Sequence, residues 1–412
     1  MPIKKINSEL KNAFDKELSL IKNDLYYQEV EVFRDSKRSF IRYDVMYKPL
    51  EILTGDSYSI RRVGDDKIVF FLLDAMGKGI SASITAMTST TLLNYIFDQM
   101  KVQKNFEFKR WVKRFVDYIK GDLLENEMLS IILTSYNKKD AFFEYASFGM
   151  PAFLFVDEKN NLIKIKSNNP PISLYSDDFK IDGLNVKKIK KALFYTDGLC
   201  ENRLKDGTFY KDKMYEDFIK SKDIVDFKNF VNKKIDTKND DLAFIHIDTA
   251  TYESSFITKT LFANMEGIDN ALLEISDYLS EVGLNSKLSS QILLAMSELL
   301  NNALEHGVFK ITNLKKSYLI ENGLYDDELK RLESLYKDKS IKVKYMVKNY
   351  NNSRVFIARI EDFGDGFDVR KLKNLVVEKD KLNGRGILIV KKLVDRLYYN
   401  EAGNSVTIKK YI

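Results

Sequence analysis

The pattern of apolar and polar positions changes character twice along the chain. Between residues 3 and 38, Ile6, Leu10, Phe14, Leu18 and Ile21 recur every three or four positions with acids and bases between them. That spacing predicts a charged amphipathic helix whose apolar stripe packs on a neighbouring domain, and it also suits a signalling or dimerising helix. From Arg42 to about Asp248 the pattern becomes short β-rich runs punctuated by Gly and Asp, broken by helical stretches near 79–100 and 106–125. This reads as one α+β domain. A polar run, Thr249 to Ser255, precedes a strand-like Phe256 to Phe262, which puts a boundary near 250. Beyond it the pattern predicts helices near 268–282 and 286–306, strands at 341–348 and 354–361, and a helix near 385–397. The expected organisation is an N-terminal helical segment over 1–40, a first domain over 41–249 and a second over 250–412.

Composition narrows the classes. A length of 412 residues suits two or three domains, and an apolar share of 44% supplies their cores. The longest apolar run, Ile68 to Leu73, is far short of the roughly 18 residues of a membrane helix. The start, Met1-Pro2-Ile3-Lys4-Lys5, lacks the apolar stretch of a secretory signal. Both features point to a cytoplasmic protein with no membrane partner. The lone Cys200 cannot form an intramolecular disulfide, and with His246 and His306 it is too little for a closed structural zinc site. Any metal here is held by oxygen. The net charge of +6 is a small excess spread along the chain, with no basic stripe interleaved with aromatics, which argues against nucleic acid as a partner.

The candidate chemistry begins at Thr54-Gly55-Asp56. If 64–66 form a hairpin turn, facing positions sum to about 130, so Asp56 stands beside Asp74. Ala192 to Thr196 runs into Asp197-Gly198, and Asp240-Asp241 precedes Leu242 to Ile247. Two strands start at an Asp and two end at one, so antiparallel pairing can gather Asp56, Asp74, Asp197 and Asp240 at one edge. Carboxylates about 4 Å apart repel by roughly 4 kcal/mol per pair at an effective dielectric near 20, so such a cluster calls for cations. Oxygen donors suit Mg²⁺ or Mn²⁺, and a pair of such ions can activate water and clamp a phosphoryl group.

The motifs Thr54-Gly55-Asp56, Asp74-Ala75-Met76-Gly77-Lys78-Gly79, Thr196-Asp197-Gly198 and Asp240-Asp241 together resemble the SpoIIE-type metal-dependent serine/threonine phosphatases, of the PPM class, over about 40–248. The resemblance implies a PPM-type α/β sandwich with a two-ion Mn²⁺ or Mg²⁺ site. Asp74 would bridge the ions, Ala75 would lend its backbone carbonyl, and Asp56, Asp197 and Asp240 would supply the remaining carboxylates. Thr54 stands where that family usually has Gly, and Met150 in Phe148-Gly149-Met150-Pro151 where it usually has His. Neither is a metal-ligand position, so both bear on substrate fit.

In the second domain Glu298 and Asn302 share one helical face, with Ile292, Met296, Leu299, Leu300 and Ala303 on the buried side. A strand ending at Glu361 leads into Asp362-Phe363-Gly364-Asp365-Gly366, whose acid can accept from an adenine amino group and whose glycines permit close backbone approach. Asn383-Gly384-Arg385-Gly386 then opens a helix, the place for phosphates. In this order the boxes resemble the GHKL (histidine kinase-like) ATPases, in their anti-sigma-factor serine kinase branch, over about 255–412. That resemblance implies a Bergerat-type α/β sandwich binding ATP with Mg²⁺. Glu298 would be the general base, Asn302 would hold Mg²⁺, Asp362 would read adenine, and Gly364, Gly366, Gly384, Arg385 and Gly386 would shape the pocket and its lid. His246 and His306 are poor acceptors for histidine autophosphorylation, one lying inside a strand and the other beyond Asn302. The separation of Glu298 from Asp362 exceeds the family's usual spacing, and the charged helical stretch from Tyr325 to Lys337 reads as a surface insertion.

Together the resemblances imply a bifunctional partner-switching regulator. One site would remove phosphate from a small anti-anti-sigma (STAS) protein, the other would restore it from ATP, and a sigma factor would be the output. The competing reading keeps only the phosphatase catalytic and makes the second domain an ATP-dependent module that sequesters a sigma factor or the STAS protein. Intact Glu298 favours the kinase.

Overall fold

A computed structural model describes residues 12–25, 27–34, 37–50, 53–77, 79–204, 206–237, 240–251, 256–350, 353–374 and 386–412. The chain divides into two compact units, Met1–Leu25 with Glu31–Thr251, and Tyr26–Val30 with Tyr252–Ile412. Among the described residues no helix is long and apolar enough to cross a membrane.

The elements up to residue 251 run α1 (12–20), β1 (Glu29–Arg34), β2 (Lys37–Lys48), β3 (Asp56–Val63), β4 (Lys67–Ala75), α2 (Ile80–Val102), α3 (Phe108–Asp122), β5 (Leu129–Asn137), β6 (Phe142–Phe148) and β7 (Phe153–Asp157). They continue with β8 (Leu162–Ile165), β9 (Asp182–Asn185), β10 (Ile189–Tyr195), α4 (Gly198–Glu201), β11 (Arg203–Leu204), α5 (Lys211–Lys220), α6 (Ile224–Lys234), β12 (Ile235–Thr237) and β13 (Leu242–Thr251). Two sheets, ordered β1-β2-β13-β10-β7-β8 and β3-β4-β5-β6-β9, carry the unit. The alternation along β4 shows how they stack. Val69, Phe71 and Leu73 join the core made with α2 and α3, while Phe70 meets Phe194 of β10 edge-on at 4.8 Å. On β10 the parity repeats: Leu193 and Tyr195 pack with α5 and α6, and Phe194 turns to the other sheet. Helices therefore cover both outer faces of an aromatic-filled sandwich, the expected α+β architecture.

The expectation of one helix over 3–38 does not hold for the described part. The helix spans 12–20, and β1 and β2 begin inside that stretch. Val30 and Val32 are buried with the less buried Glu31 between them, a short period-2 signal that the helical spacing upstream obscured. Helix α1 also turns a different face inward than its leucines suggest: Glu17 is buried while Leu18 is exposed.

The second unit runs β14 (Ile257–Phe262), α7 (Met265–Glu281), α8 (Ser286–Asn302), a π-helical turn (Ala303–Val308), α9 (Asn313–Glu321), α10 (Tyr325–Leu335), β15 (Ser340–Tyr350) and β16 (Ser353–Glu361). A 3-10 turn (Val369–Asn374), α11 (Gly386–Leu393), β17 (Arg396–Tyr399) and β18 (Ser405–Tyr411) complete it. One antiparallel sheet, ordered β14-β15-β16-β18-β17, packs against α7, α8 and α11 through a single apolar core. Asn264 and Asn285 start α7 and α8 by accepting from Gly267 N (2.8 Å) and Leu288 N (2.9 Å). The expected helix near 385–397 ends at Leu393, and β17 takes up its last residues. Residues 27–29 join this unit: Tyr399 N donates to the Tyr27 carbonyl (2.7 Å), and buried Glu29 pairs with Arg359 at 3.0 Å.

Candidate active sites

The hairpin of β3 and β4 has the register Asp56↔Asp74 through Val63↔Lys67, closed by a three-residue turn in which Gly64 takes φ 59°. The pairing that sums to 130 is thus the one adopted. β10 and β13 pair antiparallel, with Tyr195 opposite Phe244, so Asp197 and Asp240 leave their strands at a common edge. The fit there is close: a Cβ on Gly198 would stand 1.7 Å from the Asp241 carbonyl oxygen. The two sheets meet at this edge, because the Thr196 hydroxyl donates to Asp56 Oδ2 at 2.9 Å.

The electrostatics of the acids follow from the space they share. Burial, then Asp56 and Asp197, push the Asp74 carboxyl up to about 10. Asp56 is raised well above its ordinary range by burial, against the lowering bond from Thr196, with Asp241, Asp197 and Asp240 adding repulsion. A bound divalent cation would offset both the burial and the repulsion and favour the ionised carboxylates. Among the described residues no three His, Cys, Asp or Glu side chains already form a finished metal shell. The donor set nevertheless fits hard divalent ions: it is all oxygen, acidic and mutually repulsive. Ala75 is buried, its N donates to the Gly55 carbonyl (3.0 Å), and a Cβ on Gly55 would lie 2.9 Å from the Ala75 carbonyl oxygen. Thr54, where glycine was expected, is buried and uses its hydroxyl to accept from Asp56 N at 2.9 Å. Asp241 accepts from Leu50 N (2.7 Å) and Gly55 N (3.1 Å), pinning the loop before β3. The supporting roles of Thr196 and Asp241 were not read from the sequence; both residues lay inside the quoted motifs, but only contacts between strands reveal their function.

In the second unit α8 buries Ile292, Met296, Leu299, Leu300 and, at its end, Ala303. Glu298 and Asn302 stand on its other side. The Asn302 side-chain nitrogen is buried and, among the described residues, has no hydrogen-bond partner, an orphan suited to a ligand. Gly386, which opens α11, closes on the same pair: a Cβ there would lie 2.4 Å from Glu298 Oε2 and 3.6 Å from the Asn302 side-chain nitrogen. Gly384 and Arg385 lie outside the described residues.

Asp362 follows β16 and accepts from Gly364 N at 2.9 Å. Burial holds its carboxyl up at about 6. Gly307 sits against it, since a Cβ there would be 2.5 Å from the Asp362 carboxyl carbon. The π-helical turn after Asn302 delivers that glycine, with Phe309 N donating to the Leu304 carbonyl (2.8 Å). Nothing in the sequence signalled the widened turn, and Gly307 was missed with it. Gly366 has φ 71°, and a side chain there would strike the Ala402 carbonyl oxygen at 1.9 Å. The insertion is anchored at the same turn: Tyr325 of α10 donates to Glu305 Oε1 (2.6 Å), and Lys316 of α9 to Glu305 Oε2. His306 is exposed and bonds the Ile311 carbonyl.

Comparison with known proteins places both units. Residues 64–250 match the family model of stage II sporulation protein E (SpoIIE), and residues 261–410 match that of the histidine kinase-like ATPase domain. The chain is a SpoIIE phosphatase domain followed by a histidine kinase-like ATPase domain. Phosphoserine phosphatase RsbP of Bacillus subtilis (strain 168) is 23% identical over 161 residues, which are 38% of this chain and 39% of RsbP. The chain thus matches about two fifths of the length of that curated relative. The RsbU and RsbW domains of Rv1364c from Mycobacterium tuberculosis align at 16% identity over 94% of this chain and 96% of theirs, with a TM-score of 0.47. The SiaA-PP2C domain of Pseudomonas aeruginosa aligns at 12% identity over 61% of this chain and 99% of its own, also with a TM-score of 0.47.

Proposed function

We propose that the chain is a bifunctional partner-switching regulator that removes phosphate from a serine or threonine of a STAS-domain protein at the SpoIIE-type site and restores it from ATP at the second. A sigma factor is the output this reading expects. What supports it is that each unit carries its candidate acids: the carboxylates gathered at the β3–β4 and β10–β13 edges, and Glu298 beside the unpartnered Asn302 side-chain nitrogen. Met76, next to Ala75, donates its N–H to the Met128 carbonyl (3.0 Å), and both side chains are exposed, apolar contacts suited to a protein substrate.

Two divalent cations, when bound, supply the activated water and the phosphoryl clamp of the first site. Asp56, Asp74, Asp197, Asp240 and the Ala75 carbonyl would hold them, with Thr196 orienting Asp56. In the second unit Asp362 would accept from the adenine amino group, Asn302 would hold the Mg²⁺ that accompanies ATP, and Glu298 would take the proton of the attacking serine hydroxyl. The glycines let the backbone come close enough to make the pocket.

The test uses the full chain and its STAS partner. Phosphorylated partner with Mn²⁺ should release phosphate, and unphosphorylated partner with ATP and Mg²⁺ should gain phosphoserine. Binding of ATP and partner without transfer would remove the kinase half and leave the second domain as a sequestering module.

A further inference from the structure

The π-helical turn after α8 is tied to the helices that follow it through one residue. Were α8 to continue as an ordinary α-helix, Phe309 N would pair with the Glu305 carbonyl. Instead it donates to Leu304, one residue further back, and the Glu305 carbonyl accepts from Ile311 N at 2.8 Å. The Glu305 side chain is 6% exposed in a turn whose Ala303, Leu304 and Val308 are buried too, a place where an unpaired carboxylate would oppose folding. Both of its oxygens are used. Tyr325, at the start of α10, donates to Oε1 (2.6 Å), and Lys316 of α9 donates to Oε2. All three of these bonds reach Glu305 from the segment between the turn and β15, the stretch that sets Glu298 so far from Asp362 in the chain.

Two residues on, the same turn forms a wall against Asp362. A Cβ on Gly307 would stand 2.5 Å from the Asp362 carboxyl carbon, and one on Gly364 would stand 2.3 Å from the Gly307 carbonyl oxygen. The turn and the loop after β16 therefore meet with no room for a methyl group. Lys310 pairs with Asp365 at 2.5 Å and joins them again, but both partners are exposed, which makes that tie a weak one. Of the titratable groups on the elements packed here, Tyr399 of β17 is near enough for Asp362, after burial, to hold its hydroxyl above the ordinary range. Glu305 is turned to the inserted helices, and His306 to the Ile311 carbonyl.

We propose that Glu305, Tyr325 and Lys316 are positioning residues for the nucleotide site: the inserted helices α9 and α10 hold the π-helical turn by its buried carboxylate and so keep Gly307 seated against Asp362. The inference rests on the ATP reading of the second unit given above. The insertion is on this account part of the nucleotide site, although it supplies none of the groups assigned to the ligand.

The test measures ATP binding to the full chain by titration calorimetry on both sides of pH 6, where Asp362 titrates, together with thermal melting. Tyr325→Phe keeps the ring and removes the hydroxyl that donates to Glu305. It should weaken ATP binding about three- to tenfold, the usual worth of one hydrogen bond. It should also lower the pH at which ATP affinity falls, because water reaching a loosened turn removes the burial that holds the Asp362 carboxyl at about 6. Glu305→Ala should do both, and the double variant should be no weaker than Glu305→Ala alone, because Tyr325 acts through that carboxylate. Where Glu305→Ala does not fold, Tyr325→Phe decides the matter. Gly307→Ala, which puts a methyl group against the Asp362 carboxyl, should bind ATP more weakly than any of these. Unchanged ATP affinity and an unchanged pH profile in Tyr325→Phe, with only a lower melting temperature, overturn the proposal, as does wild-type affinity in Gly307→Ala. Wild-type protein that binds no ATP overturns the ATP reading itself, a distinct result.

Discussion

The two sites use acids in opposite ways. In the first unit, strand register drives four carboxylates into one space, where burial first and then repulsion raise Asp56 and Asp74 far above their ordinary range. In the second, Asp362 is alone, cushioned by Gly307 and Gly364, and is raised only to about 6 by burial. The first arrangement is incomplete as chemistry until positive charge arrives. The second is a shaped backbone surface in which glycines, more than charge, decide what fits. The difference teaches that the phosphatase site should respond steeply to metal and to loss of any one acid, whereas the ATP site should respond to pocket geometry and pH.

The comparison is most easily broken at Asp74. Asp74→Asn should cut Mn²⁺-dependent phosphate release roughly 10⁴-fold, the scale of a lost metal function, and leave ATP binding as it was. Release near the wild-type rate would sink the metal assignment. Glu298→Ala should slow phosphorylation of the STAS serine by about 10² to 10⁴ while nucleotide affinity stays within a few fold and the phosphatase keeps working. A comparable loss of ATP affinity, measured by titration calorimetry, would show that Glu298 binds rather than acts as a base.

Smaller effects sharpen the contrast. Mn²⁺ at a hundredfold excess over its dissociation constant should stabilise the phosphatase unit by about 2.7 kcal/mol, read as a raised melting temperature. A melting curve that ignores saturating metal would count against the carboxylate cluster. The Asp362 carboxyl, about 6 when folded against 3.8 ordinarily, keeps its proton over a window in which the unfolded chain has released it. Its contribution to stability is therefore full below about pH 4 and is lost as pH rises through about 6. ATP affinity runs the other way, weakening as pH falls below about 6, because the adenine amino group needs a charged acceptor. Asp362→Asn should bind ATP about tenfold more weakly and lose that pH dependence. An unaltered pH profile in the variant would assign the titration elsewhere.

Much of this was legible before the structure. The Asp56–Asp74 pairing followed from a short turn and the two-residue period of the flanking strands, which leave one register that buries the right face. The buried side of α8 followed from spacing alone. The N-terminal stretch was misread because apolar residues at three- and four-residue intervals run up to Ile21, while the strands beyond it alternate only briefly before Val32. The π-helical turn was invisible because one extra residue in a turn leaves no mark on composition, although it delivers Gly307 to Asp362.

By itself the sequence determined which residues could do chemistry and in what order they come: acids at four strand ends, a Glu and an Asn one helical turn apart, and glycines where the backbone must approach closely. Only the tertiary structure decided which groups share a space. Tyr47 and Thr196 reach Asp56 from the other sheet, and nothing in their linear spacing marks them. The physical reason is that desolvation, repulsion between carboxylates and the satisfaction of a buried hydrogen bond depend on distance in space, and the chain's own order records only distance along it.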